Sequence, residues 1–178
     1  MTDLLEHLME AHKDLFQPMK REEWIQRMME NGKWKQNPDG TWDALESVDI
    51  MHLGLTELPV QFNIVHGHFI ANNNQLTSLK GSPRVVEGDF WLADNKLTSL
   101  EGGPQSVARD YVVENNLLTT LKGSPTLVGG DFYCNDNKLT TLKDGPKYVT
   151  GKVYCSGNEV SMDELFDSVN GKYSVDRV

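Results

Sequence analysis

The chain has 178 residues, long enough for one domain with a sizeable core, and carries 17 lysines and arginines against 26 aspartates and glutamates, a formal charge of −9. That balance argues against general binding to nucleic acid or to an anionic membrane surface, where positive charge supplies most of the attraction, and it suits a basic partner. No stretch is apolar for long enough to cross a bilayer, the acidic start "MTDLLEHLMEAH" does not read as a secretory signal, and Cys134 and Cys155 make neither a disulfide framework nor a close-spaced metal pair, so a reducing cytoplasm is the expected setting.

Residues 3–16 read as an amphipathic helix, with Leu4, Leu5, Leu8, Met9, His12, Leu15 and Phe16 near one face. Pro18 interrupts the pattern. A second helix is predicted from about Lys20 to Glu30, ending at Asn31-Gly32, with Trp24, Ile25 and Met28 as its apolar members. "WKQNPDGTW" then reads as two short strands around a turn at Pro38-Asp39-Gly40. This front end, residues 1–46, is expected to cap the edge of the unit that follows, because an uncovered core edge would aggregate. The alternative is that its helices bind or dimerise. Lys20, Arg21 and Arg27 are too few and too mixed with acids for DNA reading.

Residues 47–160 repeat with a constant period of 21. Phe69, Phe90, Tyr111, Phe132 and Val153 share one position; Leu76, Leu97, Leu118, Leu139 and Val160 share another. Leu79, Leu100, Leu121 and Leu142 recur in phase, as do Pro83, Pro104, Pro125 and Pro146, and the valines from Val65 to Val149. One period earlier lie Val48, Ile50, Leu55 and Leu58, a degenerate first coil with Leu53 at the asparagine position and Phe62 at the proline position. Such a period means a solenoid, in which one coil cannot bury its own apolar face and a stack can. Each coil is predicted to begin with a short strand such as "GDFWLA" or "GDFYCN", with Phe90, Leu92, Phe132 and Cys134 pointing inward and their neighbours outward. The strands stack about 4.8 Å apart in a parallel sheet. The outer segment, from about Leu79 to Val86, is too short and too rich in glycine and proline for a helix and is expected to be extended or a tight turn. Residues 161–178 are read as a C-terminal cap and tail, with a short helix over "SMDELFDSV" and Ser161 and Glu164 spaced as a capping box. The fold class is therefore α+β, mainly a β solenoid between a helical cap and a short closing helix.

Asn74, Asn95, Asn116, Asn137 and Asn158 keep the same register. A turning backbone leaves N–H and C=O groups without sheet partners, and a buried asparagine side chain satisfies both kinds. Asparagines also favour turns for their own sake, but only this position keeps strict phase, which favours a structural ladder.

The outward positions of the strands carry the candidate site. One column reads Ile70, Trp91, Val112, Tyr133, Tyr154, and the column beside it His68, Asp89, Asp110, Asp131, Lys152, with Asn72, Ala93, Glu114, Asn135 and Ser156 beyond. A row of large apolar groups facing water points to a contact surface, and aromatics are frequent anchors. Aspartates one strand apart repel. A basic partner with an apolar anchor relieves both, with Trp91 and Tyr133 as anchors and Asp89, Asp110 and Asp131 steering. The competing reading is that the aromatics stabilise the sheet by stacking across strands and that the repeated "GD" is a local turn device.

The spacing F-x-x-x-x-N-x-L-x-x-L, carried by Phe90…Asn95-Lys96-Leu97 and Phe132…Asn137-Lys138-Leu139, resembles leucine-rich repeats. The fuller form GDF-x-x-x-x-N-x-L-T-x-L-x-G-x-P-x-x-V is similar to a short repeat common in proteins of tailed bacteriophages, and "NPDGTW…SVDI" is similar to the lead-in such proteins place before their first coil. The resemblance spans roughly Pro38 to Val160. It implies a binding module in the cytoplasm of an infected bacterium, acting on a host protein.

There is no phosphate loop, no HExxH and no GxSxG, and the repeated "GSP" serines are turn residues. His66 and His68 with Asp89 and Asp110 make at best a weak metal site, and Cys134 and Cys155 are read as adjacent buried thiols. No catalytic residue, cofactor or metal is therefore expected. The leading expectation is a non-enzymatic module that binds and inhibits or redirects a host protein, a defence component among the candidates. The alternatives are an acidic nucleic-acid mimic that blocks a DNA-binding enzyme, and a structural virion or assembly adaptor. The oligomeric state stays open.

Overall fold

The computed structural model describes residues 21–161 and 174–176. The predicted first helix and, beyond Ser161, the predicted closing helix lie outside the described residues. Helix α1 covers Arg21–Glu30. It stops where expected: Gly32 takes φ 65°, its N–H bonds Met29 O at 2.9 Å, and Lys33 N–H reaches back to Met28 O at 3.1 Å, a Schellman ending.

The hairpin follows. Strands β1 (Trp34–Gln36) and β2 (Trp42–Ala44) pair antiparallel. Asp39 Oδ1 accepts from both the amide and the hydroxyl of Thr41, at 3.0 and 2.7 Å, and these donors hold its carboxyl below the usual range. The coils then wind between two seven-stranded sheets. The second sheet holds β3 (Val48–Asp49), β5 (Phe69–Ile70), β7 (Phe90–Trp91), β9 (Tyr111–Val112), β11 (Phe132–Tyr133), β13 (Lys152–Tyr154) and β14 (Ser174–Asp176). The first sheet runs from the hairpin into β4 (Phe62–Val65), β6 (Val85–Val86), β8 (Ser106–Val107), β10 (Leu127–Val128) and β12 (Tyr148–Val149). Every pair outside the hairpin is parallel, and β2 joins β4 through a register shift between Trp42 and Ala44.

The outer segment is thus more than an extended connection: it forms the first sheet. Its proline holds the chain extended, Val86, Val107 and Val128 are fully buried, and the next amides bond one coil back, as Ala108 N–H does to Val86 O at 2.9 Å. A three-residue corner such as Glu87-Gly88-Asp89 then turns the chain from one sheet to the other.

Between the sheets lie the predicted columns. The rings of Phe69, Phe90, Tyr111 and Phe132 follow one another at 5.4, 5.1 and 5.5 Å. Burying one such ring contributes roughly 1.5–3 kcal/mol. Toward the front the column continues through Phe62, 5.4 Å from Phe69, to Trp34, 5.0 Å from Phe62, and Trp42, 6.3 Å from Trp34. Phe62 stands where later coils have proline, and the hairpin tryptophans close the core on it. In the degenerate first coil Val48, Ile50 and Leu58 are buried, while Leu53 is exposed.

At the far end the tail returns to the second sheet. Strand β14 pairs with β13 at an offset of 22 residues, Lys152 opposite Ser174. The segment read as cap and tail therefore adds a strand to the solenoid.

The phased asparagines bind the turns together. Asn116 Oδ1 accepts Leu97 N–H at 3.0 Å, and its Nδ2 donates to Leu92 O, Val113 O and Glu114 O at 3.0, 3.2 and 3.1 Å. Asn74, Asn95, Asn137 and Asn158 repeat the pattern in their own coils. The residue before each, Asn73, Asp94, Asn115, Asp136 or Gly157, has φ between 50° and 68°. These residue types tolerate that left-handed turn best.

Candidate interaction face

The second sheet presents the predicted row to solvent. Ile70, Trp91, Val112, Tyr133 and Tyr154 stand in unbroken parallel register. Trp91 is the most open, 37% exposed, and the others are half-buried. The rings of Tyr133 and Tyr154 stack at 4.5 Å and 3°, so they turn their edges rather than their faces outward. Each supports its neighbour across the strands, as the stacking alternative expects.

The aspartate column has a second role that a charge count does not show. Asp89 Oδ1 accepts the N–H of Asp110 at 3.0 Å, Asp110 Oδ1 that of Asp131 at 2.8 Å, and Asp131 Oδ1 that of Lys152 at 2.7 Å. One coil earlier Ser47 Oγ accepts the His68 N–H at 3.0 Å. His68 Nδ1 lies within reach of both the Asp89 N–H, which it could accept, and Asp89 Oδ2, to which it could donate, but it can serve only one of them. The amides of Asp110, Asp131 and Lys152 are thus each capped by the aspartate one coil back, while the other corner amides, such as those of Ala108 and Arg109, bond backbone carbonyls one coil back. At two of these corners a glycine makes room, since a Cβ at Gly130 would strike Asp110 Oδ1 and one at Gly151 would strike Asp131 Oδ1. Arg109 takes that place before Asp110, and the Asp89 bond still forms. The carboxylates therefore return part of the stability that their repulsion removes.

The second oxygens of Asp89 and Asp131 meet side chains. Asp89 Oδ2 lies 2.8 Å from His68 Nδ1, and Asp131 Oδ2 accepts the Tyr133 hydroxyl at 3.1 Å. Desolvation, that bond and the charges of Asp131 and Asp110 push the Tyr133 phenol up to about 12. Along the far border Asn72 and Asn135 accept the N–H groups of Ala93 and Ser156, at 2.9 and 3.0 Å. The face is thus a rigid strip with a carboxylate border and an amide border.

The remaining candidates stand apart from it or inside it. His66 pairs with Glu87 at 3.0 Å at the start of the corner. Cys134 and Cys155 are buried thiols in adjoining coils, and burial, then the neighbouring Cys155, pushes the Cys134 thiol well up. Among the described residues no group of three or more His, Cys, Asp or Glu side chains could hold a metal ion. None of their helices is long and apolar enough to cross a membrane.

A second outward column went unread in the sequence. On the first sheet Ile64, Val85, Ser106, Leu127 and Tyr148 stand in register. Leu127 is 41% and Tyr148 57% exposed. The available signal was the position just before each phased valine, but its residue type changes from coil to coil.

The chain matches no protein-family model and, among curated proteins, no relative. The architecture itself, a β solenoid of 21-residue coils with parallel sheets, is consistent with a leucine-rich-repeat-like solenoid.

Proposed function

We propose that the chain is a non-enzymatic protein-binding module that engages its partner through the outward face of the second sheet. The observation that carries this reading is the continuous, mostly apolar row from Ile70 to Tyr154, most open at Trp91, held in unbroken strand register. Trp91 and Tyr133 are the anchors, and the carboxylates of Asp89, Asp110 and Asp131 favour a partner with a basic surface. An open face of this kind gives a small substrate poor shelter, which favours binding over catalysis. The likeness of the repeat to those of tailed phages supports a setting in the cytoplasm of an infected bacterium, where the module would occupy and inhibit or redirect a host protein. A nucleic-acid mimic is less favoured, because one oxygen of each aspartate is spent on the backbone.

The test is affinity capture from bacterial lysate with quantitative mass spectrometry, wild type beside a Trp91→Ala, Tyr133→Ala double variant of verified fold. The partner should be retained by wild type and lost by the variant. Equal retention by both would move the site off this face.

A further inference from the structure

The molecule carries two outward apolar strips, one on each sheet, with opposite borders. On the first sheet Leu127 and Tyr148 form a ridge, because the positions sharing their face two residues on are Ala108, Gly129 and Thr150, all small. Lys147 holds its ammonium 5.4 Å from the centre of the Tyr148 ring, and Arg84 is exposed just before Val85. Glu87, on the same face, is matched by His66. The second-sheet strip is bordered instead by Asp89, Asp110 and Asp131, with His68 and Lys152 at the two ends of that column.

We propose that these strips fit each other: a second copy of this chain docks its first-sheet face onto the second-sheet face of its neighbour. Three physical facts favour that pairing. Both strips are columns of in-register parallel strands, so both advance by the same ~4.8 Å rung and mesh along their length. Lys147 and Arg84 on one meet the aspartates on the other. Pairing like faces would set carboxylates against carboxylates, or Lys147 and Arg84 against their own copies, and like charges in contact are unfavourable. The contact joins two different surfaces, so it is head-to-tail and leaves a free face at each end. It rests on the reading of the second-sheet face as a binding surface, and a foreign partner would compete with it there.

The test is sedimentation velocity on the full chain over rising protein concentration, at low and high salt. Wild type should grow in mass with concentration, less so in salt. Leu127→Glu spoils only the first-sheet face and Trp91→Glu only the second. Each alone should stay monomeric, its dissociation constant raised by at least about tenfold. Mixed, they should form a one-to-one pair that grows no further, since each supplies the face the other lacks. Circular dichroism checks each fold, and Tyr148→Glu and Trp91→Ser serve if either fails. A monomeric wild type, a mixture that stays monomeric, or a Trp91→Glu chain that self-associates like wild type would overturn the proposal. Lysate capture reads the foreign partner separately, so a monomeric wild type leaves the binding-face reading standing.

Discussion

Asn116 serves two coils with one amide, accepting from Leu97 N–H and donating to the carbonyls of Leu92, Val113 and Glu114. Asn116→Ala strands the buried Leu97 N–H, whereas Leu92 O, Val113 O and Glu114 O keep Asn95, Asn137 and the Asp94 N–H as donors, and should cost about 1–3 kcal/mol in denaturant unfolding. Asn116→Asp should cost at least as much at neutral pH, because it turns a carboxylate toward three carbonyls. Unchanged stability in either would mean the ladder does not hold the turns. Tyr111 is the opposite case. Its hydroxyl is buried with no partner among the described residues, in a column that elsewhere holds Phe69, Phe90 and Phe132. Gly103 stands where other coils have Ser82 and Ser124; a Cβ there would crowd Leu100 O and the Leu79 side chain, both at 2.9 Å, and would be in ordinary contact with the Tyr111 hydroxyl. Tyr111→Phe should raise stability by ~1 kcal/mol. It also has a pH signature. Burial pushes the Tyr111 phenol far above its ordinary range. Below about pH 10 the phenol is neutral folded or unfolded; above it the unfolded chain sheds a proton that the folded chain keeps, so stability falls as pH rises. Wild type should therefore lose more stability than Tyr111→Phe between about pH 8 and about pH 11 in denaturant titrations. Equal losses would contradict the assignment.

Among the elements, the corner shows best why parts of this fold were hard to read. Acids before a strand look like surface charge, and nothing in a spacing reveals that Asp110 Oδ1 caps the amide of Asp131. Gly130 is part of the same device. Gly130→Ala should destabilise by driving Asp110 off that amide, and Asp110→Ala by leaving it uncapped. Since both break one contact, the double variant should fall short of the sum by about 1 kcal/mol. Strict additivity in thermal melts would separate the two. The second-sheet strands and the hairpin were legible, because alternation around Phe90 and the turn residues of "NPDGT" are strong local signals. The first sheet was legible only as an extended segment: its later strands are two residues long, too short for a period. Strand β14 was missed because it follows β13 at 22 residues rather than 21 and the stretch before it lacks the phased proline.

For the whole molecule, the constant period carries the argument from sequence to face. Equal coils stack their equal positions, so one outward residue type becomes a strip and one buried asparagine a ladder. The aromatic strip was legible for that reason. The Leu127–Tyr148 strip was not, since Ile64, Val85 and Ser106 precede it at the same position. Along the stack the core is closed at the front by Trp34 and Trp42, and the second sheet is prolonged at the back by β14. The surface left for a partner is the rigid side of the stack, which should bind without rearrangement. Backbone amides there are already bonded between coils, so a side-chain probe reports binding better than amide exchange. Hydroxyl-radical footprinting of the captured complex, read at single residues by mass spectrometry, is the most direct test. Protection of Trp91, Tyr133 and Tyr154 relative to the free chain is the predicted result. Protection confined to α1 or to the hairpin, with Trp91 as reactive as before, would contradict the account.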